Sequence, residues 1–310
     1  VNPAEVNKDP QPMKLAFCGT GLMGAPMAQR LIQAGHQLNV WNRSAAKTAV
    51  LTALGAIRCE TPAQAVRDVD GVIICLLDTK AVEDVVFGGQ GLAQTAGWNW
   101  LIDHSSMDPQ ATRTFGERLR QTHGAQWLDA PVSGGVAGAQ SGTLSIMAGG
   151  DAALFERLSP LMAAYAARLT HMGPTGAGQT AKLCNQTIVS ATLAAVAEAL
   201  ALARAAGIAA DRLPQALGGG WADSKPLQIF APRMLQTPAD TIGAVTTMLK
   251  DVDTVLAQAK AMNVPMPVAA VVQQALRQTV AMGLGQADMS AVVCVSQPDR
   301  INDYQQTLLS

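Results

Sequence analysis

The sequence predicts an α/β domain built on a doubly wound, largely parallel sheet, followed by an all-helical domain. Three observations carry that expectation. Strand-like and helix-like segments alternate from Lys14 to about His171. The run VIICLL (72–77) is apolar without alternation, the pattern of a parallel strand covered on both faces. From Thr180 onward the periodic segments are helical, and the first of them, to about Ala206, has no breaker and is apolar on almost every face.

Each element follows from a local signal. KLAFC (14–18) reads as a short buried strand, and GTGLMG after it opens a helix that runs to about Ala34 and stops at Gly35. QLNVW (37–41) is the second strand; a helix-like stretch Ser44–Leu54 follows with Ser44 as N-cap. Thr61-Pro62 has the cap-then-proline signature of a helix start. WLIDHSS (100–106) is a strand running into a loop, and the helix over 108–124 is opened by Asp108-Pro109 and closed by Gly124. QWLDAP (126–131) is a further strand; TLSIMA (143–148) and RLTH (168–171) are strands flanking a helix over 151–164. Helical patterns then lie at 211–219, 224–235, about 239–262, 266–282 and 287–295. The expected organisation is a polar, proline-rich disordered tail over 1–12, an α/β domain over 13–175, a helical domain over 176–298 joined by the long helix, and a tail over 299–310.

Composition narrows the function. A chain of 310 residues has room for two domains, and 49% apolar against 15% charged residues excludes a long disordered protein. Lys and Arg number 22 against 23 Asp and Glu, with no basic cluster, which argues against a nucleic-acid binder. Aromatics are 4%, too few for a single-strand stacking platform. Cys18, Cys59, Cys75, Cys184 and Cys294 are odd in number and widely spaced, with no CxxC, so neither a disulfide framework nor a metal site is expected. Free thiols suit a reducing cytoplasm. Residues 1–12 lack the apolar stretch of a secretory signal, and the alanine-rich segment 187–203, with Glu198 inside it, reads as too short for a membrane span.

The first chemical motif is Gly19-Thr20-Gly21-Leu22-Met23-Gly24. It follows a strand and opens a helix, the context in which GxGxxG marks a Rossmann-type dinucleotide site. The glycines permit a tight turn, approach of backbone to a pyrophosphate, and close helix–strand packing, while the helix N-terminal amides face the phosphates. Domain 13–175 is therefore read as the dinucleotide-binding domain, with Leu76 and Leu77 counted among the cofactor contacts. An NAD site carries an acid about 20 residues beyond the glycines, for the ribose 2′-hydroxyl. Here the second strand ends in Trp41-Asn42-Arg43-Ser44 instead. A neutral Asn42 does not repel a 2′-phosphate and Arg43 can bind one, so NADP(H) is preferred and NAD(H) remains possible. The competing reading makes Arg43 a solvated loop cation.

Two further segments bear on substrate. Asp129-Ala-Pro-Val-Ser133-Gly134-Gly135, continuing to Leu144, follows a strand end, and its backbone N–H groups and Ser133 can hold a small carboxylate. Gly173-Pro-Thr-Gly176-Ala-Gly178 precedes the long helix, on which Lys182 and Asn185 lie three apart and so share a face. A lysine on so apolar a helix is costly if unpaired; a snorkelling or salt-bridged lysine is the structural alternative.

The order of these motifs resembles the β-hydroxyacid dehydrogenase family over residues 13–296. The resemblance implies cofactor glycines at Gly19, Gly21 and Gly24, and a residue near the nicotinamide at Ser106. It implies substrate-carboxylate contacts at Ser133 and Gly134, a catalytic lysine at Lys182 and its amide neighbour at Asn185. Lys250 in Leu-Lys-Asp matches a second lysine toward cofactor and substrate, and Asp288 a C-terminal family position. The chain departs from the family at His104, at Gln186 and over 218–224, which leaves the substrate open. The expected reaction is hydride exchange between NADP(H) and a small 3-hydroxyacid/semialdehyde pair, with Lys182 as general acid and base. A free lysine titrates near about 10.4; burial and a helix N-terminus both favour its neutral form. No basic cluster accompanies the substrate motifs, so the substrate is expected to be unphosphorylated. The apolar helical half, like the family, implies a homo-oligomer, a dimer or tetramer. The rival readings are a reductase of another carbonyl or imine, and a non-catalytic nucleotide sensor on the same fold.

Overall fold

The computed structural model describes residues 11–309. The tail expected over 1–12 lies, except for its last two residues, outside the described ones. Contacts divide the chain into two compact units, Val1–Lys182 and Leu183–Ser310.

In the first unit, β1 (Lys14–Cys18), α1 (Gly24–Gln33), β2 (Gln37–Trp41), α2 (Ala49–Ala53), β3 (Ile57–Arg58), α3 (Pro62–Ala65), β4 (Gly71–Ile74) and α4 (Thr79–Phe87) come first. β5 (Trp100–Asp103), α5 (Pro109–His123), β6 (Gln126–Asp129), β7 (Val132–Ser133), α6 (Gly135–Ser141), β8 (Leu144–Gly149), α7 (Ala152–Met162) and β9 (Ala166–Gly173) complete it. The strand order is β3-β2-β1-β4-β5-β6-β8-β7, with β9 also on β8. From β3 to β6 every pairing is parallel, whereas β8 runs antiparallel to β6 and β7.

β1, β4 and β5 are apolar along most of their length because both faces of the sheet are buried there. Leu15, Phe17, Ile73, Ile102 and Leu128 enter one core, while Ala16, Cys18, Val72, Ile74, Leu101 and Trp127 enter the other. The expected caps form: Thr61 accepts from the Gln64 amide, Asp108 accepts from Ala111, and Gly124 ends α5 in the left-handed region. Ser44 is different. It precedes a single 3₁₀ turn, Ala45–Thr48, and its side chain makes no cap bond.

The segment 129–144 is not the open loop that its glycines suggest. Val132 and Ser133 pair with Ile146 and Ser145 of β8, and Gly135–Ser141 is helical. Side chains added at Gly134 or Gly138 would press on the Leu144 side chain at 3.2 and 3.1 Å, so these glycines also serve packing.

The long helix α8 spans Ala177–Ala205. At 29 residues, with mean hydropathy 1.6 in its most apolar window, it is long and apolar enough by composition to cross a membrane, against the shorter estimate from 187–203. Its Leu193, Val196, Ala197 and Leu200 instead form the core of the second unit, with Phe230, Met234, Met248, Val252 and Leu276. Those residues come from α10 (Lys225–Gln236), α11 (Val245–Ala261) and α12 (Pro267–Thr279), which follow the short α9 (Leu213–Leu217). α11 starts later than its periodicity suggests, because Ala244 is bridged to Asp288. Asp288 is buried, pairs with Arg233 at 3.0 Å, and accepts from the Ile242 and Ser290 amides, which makes it a tie within this unit. The segment 299–310, expected as a tail, forms α13 (Ile301–Thr307), because Tyr304 is fully buried with its hydroxyl on Ser290 Oγ at 3.1 Å.

Candidate active site

The parallel register sets the C-terminal strand ends in one row: Trp41 beside Cys18, Cys18 beside Ile74, Ile74 beside Asp103, Asp103 beside Asp129. The segments that leave this edge carry the predicted site residues of the first unit. β1 lies between β2 and β4, where the strand order reverses, the place at which open α/β sheets bind ligands.

The glycine loop fits a dinucleotide. Gly19 has φ +101°, and a Cβ there would lie 2.2 Å from the Cys75 carbonyl oxygen; one at Gly24 would lie 1.9 Å from the Gly19 oxygen. Gly21 differs, since a Cβ there would meet nothing within 4 Å. Two glycines thus hold the turn, and the third leaves open the space ahead of α1 that a pyrophosphate needs. Thr20 anchors the turn, its amide donating to Asn42 Oδ1 at 3.1 Å and its hydroxyl to the Lys47 carbonyl. Asn42 also donates to the Ser44 carbonyl, so it braces the loop where an NAD site would carry an acid. Arg43 and Ser44 are exposed. Leu22 and Leu77 are exposed apolar side chains, and Met23 and Leu76 are half-buried.

Past β5, the fully buried Asp103 accepts from the Ser105 amide at 2.8 Å, while its Oδ2 has no partner. Burial pushes this carboxyl up to about 7, against two hydrogen bonds from Ser105 that favour its charge; the neighbouring Asp129 adds to the rise. Ser105 Oγ receives the Leu76 amide at 2.9 Å, which ties the β4 and β5 ends together below Ser106. His104 is buried, with Nδ1 2.6 Å from the Ala130 oxygen and Nε2 2.9 Å from the Tyr165 hydroxyl. A carbonyl only accepts, so Nδ1 carries the proton and Tyr165 donates to Nε2. Burial pulls His104 down to about 4, which keeps this bridge neutral and structural.

Asp129 is the centre of the arrangement. Its Oδ1 accepts from the Gly176 amide at 2.7 Å and its Oδ2 from the Gln179 amide at 2.9 Å, so one buried carboxylate caps the start of α8 from the neighbouring β6. Burial pushes Asp129 up to about 6, opposed by the Gly176, Gln179 and Gly178 amides. A Cβ at Gly178 would fall 2.5 Å from the Met147 oxygen and 2.8 Å from Asp129 Oδ2, which explains the small residues before the helix. This capping also explains why the first turn of α8 belongs to the sheet unit, past the boundary expected near 175. Gln179, also buried, donates to the Ser105 carbonyl at 2.7 Å and accepts from the Met107 amide at 3.2 Å, clasping the loop that carries Ser106.

One turn beyond Gln179, Lys182 is half-buried and its Nζ donates to the Val132 carbonyl at 2.9 Å. The cost of a lysine on this helix is thus offset by a defined partner, next to Ser133. Ser133 is half-buried at the end of β7, and Gly134 and Gly135 are exposed where α6 begins. Their N–H groups belong to a first helical turn, whose amides have no intrahelical acceptor.

In the second unit, Asn185 and Lys250 are joined through two residues absent from the expected site. Asn185 Nδ2 donates to Gln186 Oε1 at 2.9 Å, Gln186 Nε2 donates to Asp251 Oδ2 at 2.5 Å, and Lys250 pairs with Asp251 Oδ1 at 3.1 Å.

Comparison with known proteins decides the family. A model described as the NAD binding domain of 6-phosphogluconate dehydrogenase matches residues 14–173, and one described as NAD-binding of NADP-dependent 3-hydroxyisobutyrate dehydrogenase matches 176–296. The chain belongs to the β-hydroxyacid dehydrogenase family. It is 40% identical over 282 residues to 2-hydroxy-3-oxopropionate reductase of Escherichia coli (strain K12), covering 91% of this chain and 96% of that protein. It is 37% identical over 268 residues to 3-hydroxyisobutyrate dehydrogenase of Pseudomonas aeruginosa, covering 83% and 88%. The crystal structure of 3-hydroxyisobutyrate dehydrogenase from Salmonella typhimurium superposes with TM-score 0.83 at 28% identity, over 91% of this chain and 99% of that one. This β-hydroxyacid dehydrogenase is therefore an NAD(P)-dependent oxidoreductase of the hydroxyacid type.

Asp103, Asp129, Gln179, Gln186 and Asp251 were not among the expected site residues. Asp129 stands in the quoted Asp-x-Pro-Val-Ser motif, so its place was visible. Its partners were not, since they lie 47 and 50 residues away.

Proposed function

We propose that this chain exchanges hydride between NADP(H) and a small, unphosphorylated 3-hydroxyacid/semialdehyde pair, with Lys182 as the general acid and base. The observation that carries the reading is the bond from Lys182 Nζ to the Val132 carbonyl, which sets the ammonium beside Ser133 on the sheet edge that also bears the glycine loop. Gly19, Thr20, Gly21 and Gly24, with Asn42 and Arg43, would hold the dinucleotide; when bound, its nicotinamide supplies or accepts the hydride. Ser133 and the Gly134 and Gly135 amides take the substrate carboxylate. Ser106, on the loop clasped by Gln179, and Asn185, one turn past Lys182, border the reacting carbon. In reduction the Lys182 ammonium gives its proton to the carbonyl oxygen; in oxidation the neutral amine takes it from the hydroxyl. Asn42 in place of an acid, with exposed Arg43 and Lys47 beside it, supports the phosphorylated cofactor. The five free thiols support a cytoplasmic setting. Exposed Ile188, Leu202, Val268 and Val271 support a homo-oligomer.

The test is Lys182→Ala. Turnover should fall by roughly 10²–10⁴ with NADPH affinity retained, and Lys182→Arg should rescue little, because a guanidinium keeps its proton near neutral pH. A folded, NADPH-binding alanine variant with more than about a tenth of wild-type kcat, where chemistry limits the rate, refutes the assignment. The substrate screen begins with 2-hydroxy-3-oxopropionate, the carbonyl compound in the name of the 40% identical relative, and continues through serine, 3-hydroxyisobutyrate, glycerate and 4-hydroxybutyrate.

A further inference from the structure

We infer that Gln179 is a positioning residue: it sets the direction in which Ser106 meets the nicotinamide, and refers that direction to the helical turn that carries Lys182. The inference rests on the proposed place of Ser106 beside the reacting carbon. Gln179 is buried in the first turns of α8, and both ends of its amide are spent on the loop past β5. Nε2 donates to the Ser105 carbonyl at 2.7 Å, and Oε1 accepts from the Met107 amide at 3.2 Å. A carbonyl only accepts and a backbone N–H only donates, so the Gln179 amide has one satisfied orientation; the flipped one sets like against like at both ends. The two backbone groups belong to the peptide planes on either side of Ser106. Each plane is rigid, so holding both fixes the φ and ψ between them, and with these the direction of the Ser106 Cα–Cβ bond. Exposure agrees: from Leu101 to Met107 every residue is buried except Ser106, which is half-buried, so the clasped residue is the one that reaches the surface.

The clasp is itself anchored. The Gln179 backbone amide is held by Asp129 Oδ2 at 2.9 Å. Three residues further along α8, Lys182 donates to the carbonyl of Val132, which lies three residues beyond Asp129. Two ties therefore join the same two stretches, 129–132 and 179–182. One turn of helix holds the proposed proton-transfer group by its last residue and Ser106 by its first. Hydride and proton transfer need their partners aligned closely, and a misplacement of about 1 Å can cost roughly 10²-fold in rate. Building both reference points on one turn keeps them in register.

The experiment combines Gln179→Met, Ser106→Ala and the double variant. For each, kcat and KM are measured, with affinities for NADPH and for 2′-phospho-ADP-ribose, which is the cofactor without its nicotinamide; ADP-ribose replaces it should the wild type take NAD. Methionine keeps the length and removes both contacts. The expected result for Gln179→Met is a loss of kcat of at least about tenfold, with affinity for the nicotinamide-free probe within about twofold of wild type. Ser106→Ala should also be slower than wild type, and the double variant no slower than Gln179→Met alone. A smaller loss in folded Gln179→Met, a probe affinity that falls together with that for NADPH, or losses that multiply refute the positioning role and leave the Lys182 assignment standing. If Ser106→Ala has wild-type kinetics, the placement of Ser106 is wrong and the inference falls with it; Lys182 is judged by its own variants. Should Gln179→Met not fold, Gln179→Glu decides. A protonated glutamate keeps an O–H for the Ser105 carbonyl and an oxygen for the Met107 amide, whereas the ionised form has no donor. The titratable groups around it are Asp103 and His104 where β5 ends, Asp129 on β6 and Lys182 on α8, and dividing by wild-type activity removes their own titration. That ratio should fall as pH rises between about pH 6 and pH 10, the range in which a buried glutamate ionises. A ratio that does not change with pH overturns the inference.

Discussion

Asp103→Asn tests the electrostatics under the site. The Asp103 carboxyl rises from 3.8 to about 7 because it is wholly buried and one oxygen has no partner. The unfolded chain loses this proton near 3.8 and the folded chain keeps it to about 7, so between those values the native state binds the extra proton. Stability therefore falls as pH rises through the window, is unaffected by this group below it, and has lost the full amount above it. At about 1.4 kcal/mol per pH unit, the loss between pH 5 and pH 8 is roughly 3 kcal/mol. Asparagine has no proton to lose. Its Oδ1 can still receive the Ser105 amide, and its NH₂ replaces an oxygen that is already unpartnered, so the offset at low pH is small. Urea unfolding at several pH values, followed by tryptophan fluorescence, reads the effect, since four of the five tryptophans lie in the sheet unit. The variant should gain on wild type by roughly 3 kcal/mol from pH 5 to pH 8. A difference that stays constant within about 0.5 kcal/mol over that range would show that Asp103 is already ionised at pH 5, and that burial does not control it.

Four substitutions probe the binding residues. Gly21→Ala should leave the melting temperature unchanged but weaken NADPH binding at least about tenfold in a titration, because its methyl enters open space that the pyrophosphate needs; Gly19→Ala, at φ +101° and 2.2 Å from a carbonyl oxygen, should instead destabilise the fold by roughly 3 kcal/mol or more. Arg43→Ala should weaken NADPH by roughly 10- to 150-fold and NADH little; equal losses, or none, would remove the 2′-phosphate contact. Ser133→Ala should raise the KM for the hydroxyacid with NADPH affinity constant, and the opposite pattern would move that segment to the cofactor.

What the sequence alone determined is local. Glycines at 19, 21 and 24, proline after Thr61 and Asp108, and unbroken apolar runs each constrain φ, a terminal amide or the burial of a strand within a few residues. From these the parallel sheet, the glycine loop, the long helix and the residues flanking Lys182 were all legible. The short strands β3 and β7 were not, because two residues carry no periodicity and form only when a neighbouring strand offers hydrogen bonds. α6 hid behind glycines, of which Gly134 and Gly138 leave room for the Leu144 side chain to pack. The supporting shell of the site came from tertiary structure alone. Register placed Asp103 beside Asp129, and chain closure carried the α8 amides to Asp129 and the Gln179 side chain to the Ser105 carbonyl, 74 residues away. A buried carboxylate in a sequence shows its charge but not which amides will satisfy it. That is settled only when desolvation obliges each buried polar group to find a partner, wherever in the chain the partner lies.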